Sequence, residues 1–66
     1  MNVFDFSALE PDDKIFVFLG PGRSPREARV VATWRQRPEL PTDMVLVAAA
    51  PLGEFRVERD RVGLRA

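Results

Sequence analysis

Arginines set beside an aromatic ring are the part of this sequence best equipped to do chemistry. Arg23, Arg26, Arg29, Arg35 and Arg37 fall in one stretch with the chain's only tryptophan, Trp34. Guanidinium groups on phosphates with a ring stacked on a base are the parts of a single-strand nucleic-acid platform. Strand alternation, however, sets Arg29 and Arg35 on one face and Trp34 on the other. The plainer expectation is therefore Trp34 in the core and the arginines on a solvated face paired with acidic residues. Asp12 and Asp13 are adjacent carboxylates able to attract a hard cation, but they lack the spaced ligand set of a calcium loop. Lys14, the single lysine, lies in an apolar run with no Schiff-base motif around it. The hydroxyls of Ser7, Ser24, Thr33 and Thr42 have no histidine to activate them. Gly20-Pro-Gly22-Arg23-Ser24 lacks the Gly-Lys-Ser/Thr ending of a phosphate loop, and Pro21 and Pro25 remove amide donors such a loop needs. Arg35-Gln-Arg-Pro38-Glu-Leu-Pro41 has the spacing of a polyproline ligand and reads here as a loop stiffened by two prolines.

The residues that are missing set the functional class. The 66 residues include no cysteine, histidine or tyrosine. Without histidine the chain has no side chain that titrates unaided near neutral pH, so triads, zincin motifs and structural zinc sites are excluded together. No catalytic residue, metal ligand or cofactor is assigned, and the expectation is a non-enzymatic protein. Ten acidic and ten basic residues cancel in number but not in place. Residues 1–13 hold four acids and no base, 14–37 six bases and one acid, and 38–66 five acids and four bases. An acidic N-terminus is the opposite of a signal peptide, and the longest apolar run, from Met44 to Leu52, is too short to span a bilayer. The expectation is a cytoplasmic protein without a membrane partner. A chain of this length forms one domain and hides only about 60% of the surface its unfolded form exposes, so its core needs help.

The elements follow from the pattern of apolar residues. Residues 1–13 form a lead-in in which Ser7 and Glu10 have capping-box spacing and Pro11 limits any helix to about one turn. Lys14–Leu19 is the first strand, with Ile15, Val17 and Leu19 facing one way and Phe16 and Phe18 the other. Gly20–Pro25 is an exposed loop. Ala28–Arg35 is the second strand, with Val30, Ala32 and Trp34 sharing a face. Gln36–Asp43 is a second long loop. Met44–Ala49 leads through a turn of type I spacing at Ala50–Gly53 into Glu54–Glu58, and Val62–Leu64 is a short last strand. This is an all-β chain: a single small five-stranded barrel over 14–64 behind the lead-in.

The order "LEPDDKIFVF", a long loop, two central strands, a tight hairpin and then "FRVERDRVGL" resembles the SH3-like small barrels over residues 9–64. That resemblance implies an acidic turn before the first strand and a one-turn helix near Arg59–Arg61 that closes the barrel. Plasmid-encoded type II dihydrofolate reductases share the architecture, but their Val-Gln-Ile-Tyr segment has no counterpart; the stretch here reads Phe55-Arg-Val-Glu58. Other members act as accessory subunits, RNA or ribosome binders, or peptide-binding adaptors.

Both Met44–Ala50 and the first strand are apolar on both faces. If Val45, Val47 and Ala49 are core, then Met44, Leu46 and Ala48, with Phe16 and Phe18, form a second apolar surface. Either the lead-in residues Phe4, Phe6 and Leu9 fold over it, or it is an interface with another protein or a second copy of the chain. The sequence thus points to a binding module acting through Phe16, Phe18, Met44, Leu46, Ala48 and the two long loops. The alternative is an RNA- or DNA-binding barrel using Arg23, Arg26, Arg29, Arg35 and Arg37.

Overall fold

Alternating β-branched residues dominate the chain, and in the computed structural model they form one antiparallel sheet. The structure describes residues 6–63. The strands are β1 (Lys14–Val17), β2 (Arg26–Ala32), β3 (Met44–Ala49), β4 (Gly53–Glu58) and β5 (Val62–Gly63), in the spatial order β4-β3-β2-β1-β5. Single 3-10 turns lie at Phe6–Ala8, ahead of β1, and at Arg59–Arg61, between β4 and β5. The all-β expectation stands. Among the described residues no rung joins β4 to β5, so the sheet is open rather than closed by hydrogen bonds into a barrel.

Cross-strand register sorts the side chains into two faces. Ile15 stands opposite Ala28, Val30 opposite Val47, Val45 opposite Val57, and Val17 opposite Val62. These residues form the inner face, and Val17, Val30, Val45 and Val47 are the largest side chains that are wholly buried. A face of valine and alanine fits the pleat but supplies little bulk per residue. The missing bulk comes from the lead-in: Phe6 and Leu9 are buried in the same cluster as these valines. The lead-in residues 6–9 thus pack on the inner face, and do not cover Met44, Leu46 and Ala48; Phe4 lies outside the described residues.

The entry to β1 is fixed by a turn. The Asp13 N–H donates to the Glu10 carbonyl at 3.1 Å, with Pro11 second in the turn and Asp12 third at φ 76°. That is the arrangement of a type II turn, which places its third residue in the left-handed region. The Val30 carbonyl then accepts from the Asp12 N–H and the Val30 N–H donates to the Asp13 carbonyl, both at 2.8 Å. Two residues therefore oppose one, a bulge that lets the lead-in turn off the sheet. The capping box expected from Ser7 and Glu10 does not form. Ser7 lies inside the 3-10 turn, and the Glu10 N–H donates to Asp13 Oδ2 at 3.0 Å instead.

A second irregularity corrects the reading of Trp34. Between Val30 and Ala32 the β2–β3 register shifts by one, from Val30 opposite Val47 to Ala32 opposite Leu46. Because side chains alternate with period two, one extra residue exchanges the faces of everything beyond it. Thr33 is consequently buried at 5% exposure, while Trp34 is half-buried in the turn that follows β2 and is not a core residue. β2 also begins two residues earlier than expected and ends three earlier. β1 stops at Val17. Gly20–Arg23 is a turn with Pro21 second and Gly22 third at φ 74°. The β3–β4 turn has a cis Ala50–Pro51 peptide and so is type VI rather than type I.

Replacing Asp12 by glycine removes the cost of a left-handed non-glycine residue and one exposed ion pair, two effects that offset each other to within about 1 kcal/mol. Asp12→Val puts a β-branched residue at the same φ and costs about 1–3 kcal/mol. Denaturant unfolding of the two variants side by side checks this.

Candidate functional site

The outer face of the sheet carries all five of the apolar candidates. Along β3, Met44, Leu46 and Ala48 are half-buried and alternate with the buried Val45, Val47 and Ala49. Their same-face neighbours on β4 are Glu58, Arg56 and Glu54, each directly opposite, and Arg29 of β2 stands opposite Ala48. The strip is thus an apolar band with a charged rib along β4, while on the β2 side Arg29 stands beside Ala48 and the buried Ala32 beside Leu46. The aliphatic stems of the arginines can shield part of it while their charged ends stay in water. Phe16 and Phe18 occupy the other margin of this face. Phe16 pairs with Glu27 on β2 and with Gly63 on β5. Phe18, 40% exposed, lies over Gly63, where an added Cβ would come within 2.6 Å of its ring. The five residues share a face but form two patches, separated by Glu27 and Arg29 of β2.

At the Ala48 end of the strip the small side chains of the β3–β4 turn leave a depression. It has a volume of about 460 Å³ and is lined by Arg29, Ala48, Ala49, Ala50, Pro51 and Gly53. It continues toward Lys14 and Glu27 over the same alanines. Arg26 braces its end by donating from Nη1 to the Ala50 carbonyl at 3.1 Å. The groove has a floor of backbone and methyl groups, and its rim bears Lys14, Arg29 and Glu27. It offers shape and a mixed-charge rim.

The five arginine candidates do not assemble into one platform. Arg35 turns inward to the lead-in. Its Nη1 donates to the Leu9 carbonyl at 3.4 Å and its Nη2 to the Ser7 carbonyl, and its guanidinium lies 5.1 Å from the Trp34 ring centroid. It therefore ties down two carbonyls at the end of the first 3-10 turn. Arg29 lies 3.8 Å from Asp12, both largely exposed, and Arg26 is engaged at Ala50. Arg23 and Arg37 are exposed in separate loops. The pairing of arginines with the acidic lead-in is present at Arg29 and Asp12.

The remaining candidates have structural partners. Thr33 Oγ1 bonds Gln36 Oε1 at 3.0 Å and accepts from the Arg35 N–H at 3.2 Å. The second loop is a series of turns, closed by the Leu40 N–H on the Arg37 carbonyl and the Met44 N–H on the Pro41 carbonyl. Leu40, within the second long loop, is buried. Its signal was a lone leucine between two prolines. Among the described residues no three acidic side chains come together as a metal site, and no helix is long and apolar enough to cross a membrane. Compared with protein-family models, curated proteins and solved structures, the chain matches none of them.

Arg35→Ala removes both bonds to the lead-in and the contact with Trp34, and is expected to cost about 1–3 kcal/mol. Arg35→Lys recovers only part of this, because an ammonium lacks the fork that spans two carbonyls. Chemical unfolding followed by Trp34 fluorescence measures the loss and reports the changed surroundings of the ring.

Proposed function

We propose that the protein is a non-enzymatic binding module, an interaction or accessory subunit that holds another protein on the outer face of its sheet. The observation that carries this reading is the placement of Phe6 and Leu9. They pack among the inner-face valines, so residues 6–9 leave the Met44, Leu46 and Ala48 band open. An apolar band edged by the charged rib of β4 suits a partner segment that lays apolar side chains along it, with the alanine-floored groove receiving a projecting one. The SH3-like assignment belongs to this proposal. It is supported by the strand order β4-β3-β2-β1-β5 and by the 3-10 turn at Arg59–Arg61 before β5. A cytoplasmic setting fits a chain without cysteine. The nucleic-acid reading has less support, since Arg35 and Arg26 are engaged within the chain and Arg29 faces Asp12.

The test is partner retention from native lysate with paired variants. Ala48→Arg and Leu46→Asp should abolish retention, while Arg23→Glu with Arg37→Glu and nuclease treatment should leave it intact. Ala48→Arg lies on the open face and is the variant least able to disturb the fold. Retention that survives both outer-face variants, or that nuclease removes, would overturn the proposal.

A further inference from the structure

The outer edge of β4, which no strand among the described residues covers, is self-complementary, and we infer that it pairs with β4 of a second copy, antiparallel about a two-fold axis at Phe55. Which backbone groups face that edge follows from the register. The Arg59 N–H donates to the Asp43 carbonyl at 2.7 Å, so the pair 43/59 is hydrogen-bonded. Antiparallel pairs alternate between bonded and non-bonded. Val57, Phe55 and Gly53 therefore direct their N–H and C=O groups to β3, and Glu54, Arg56 and Glu58 direct theirs away from it. Among the described residues β4 pairs with β3 alone. At the opposite edge, among the described residues, β5 comprises Val62 and Gly63, and the Val62 N–H donates to the Arg59 carbonyl.

The side chains select one register. A second β4 bonded through the outward groups must place 54, 56 and 58 against 54, 56 and 58 of its partner. Setting Arg56 against Arg56 of the second copy also sets Glu54 against Glu58, so every facing pair is of like charge. Setting Glu54 against Glu54 is no better at its centre. Setting Arg56 against Glu58 brings the 3-10 turn at Arg59–Arg61 opposite the strand. Only Glu54 against Arg56 satisfies charge and shape together, and the two-fold axis makes that contact twice. Opposite charges directly across a sheet stabilise it and like charges do the reverse. On the inner face this register brings Phe55 against Phe55 and Gly53 against Val57 of the second copy. Phe55 is half-buried at the rim of the core and packed against it, so the contact extends the core across the axis. Charged side chains at the edge thus oppose indiscriminate strand addition while permitting this one pairing. The edge is separate from the Met44–Ala48 band, and either proposal can fail without the other.

Light scattering tests it on the intact chain. The wild type should reach twice its 7.5 kDa mass as concentration rises. Arg56→Glu, which faces Glu with Glu at both contacts, should weaken dimerisation about tenfold or more. Glu54→Arg with Arg56→Glu in one chain restores opposite charges and should restore the dimer. Circular dichroism confirms that each exposed-site variant retains its sheet. Hydrogen exchange on the wild type gives a readout free of variants, with the Glu54 and Arg56 amides protected in step with dimer population. A wild type that stays monomeric, a dimer indifferent to Arg56→Glu, a double variant that remains monomeric, or a dimer with freely exchanging Glu54 and Arg56 amides would each overturn the inference.

Discussion

Packing of Phe6 and Leu9 against a face of valines is the contact on which the rest of the structure depends. The strands supply a regular, β-branched surface whose wholly buried members are Val17, Val30, Val45 and Val47. Such a surface is well matched to the pleat, but one curled sheet has no second layer to bury it. The lead-in provides that layer locally. Burying a phenylalanine and a leucine contributes about 1.5–3 kcal/mol each. Against a total stability of about 0.05–0.15 kcal/mol per residue, that is a large share for a chain of this size.

Several features that look independent serve this contact. The type II turn at Glu10–Asp13 and the bulge at Val30 steer the chain off the sheet at the angle that returns Phe6 and Leu9 to it. Arg35 fastens the carbonyls of Ser7 and Leu9, and the Arg59 guanidinium lies 5.9 Å from the Phe6 ring centroid. The guanidinium that secures the lead-in is engaged within the chain although Arg35 stays exposed, and the arginine cluster seen in the sequence is dispersed. With residues 6–9 on the inner face, the outer face keeps an apolar band and the β4 edge keeps its outward backbone groups.

Much of this was legible in the residue pattern, where alternation alone decides. β3 runs from Met44 to Ala49 as its alternation indicates, and the division of β1 into Ile15 and Val17 inside against Phe16 outside holds. What could not be read depends on single-residue irregularities and on distant partners. The register shift after Val30 carries no local signal, yet it exchanges the faces of Thr33 and Trp34 and so decides which of them is buried. Leu40 is buried from within a proline-bounded loop, where periodicity gives no guide. The lead-in offered apolar residues but two faces to place them on, and that choice is made by the turn at Asp12 and by Arg35, far from it in sequence.

Nuclear Overhauser contacts from the Phe6 ring test this account most directly. The ring protons should show cross-peaks to methyl groups of the inner-face cluster, among them Val17, Val30, Val45, Val47, Val57 and Val62, and none to the Met44 or Leu46 methyls. Cross-peaks from Phe6 to Met44 and Leu46, with the inner-face valines silent, would place the lead-in on the outer face and contradict the account.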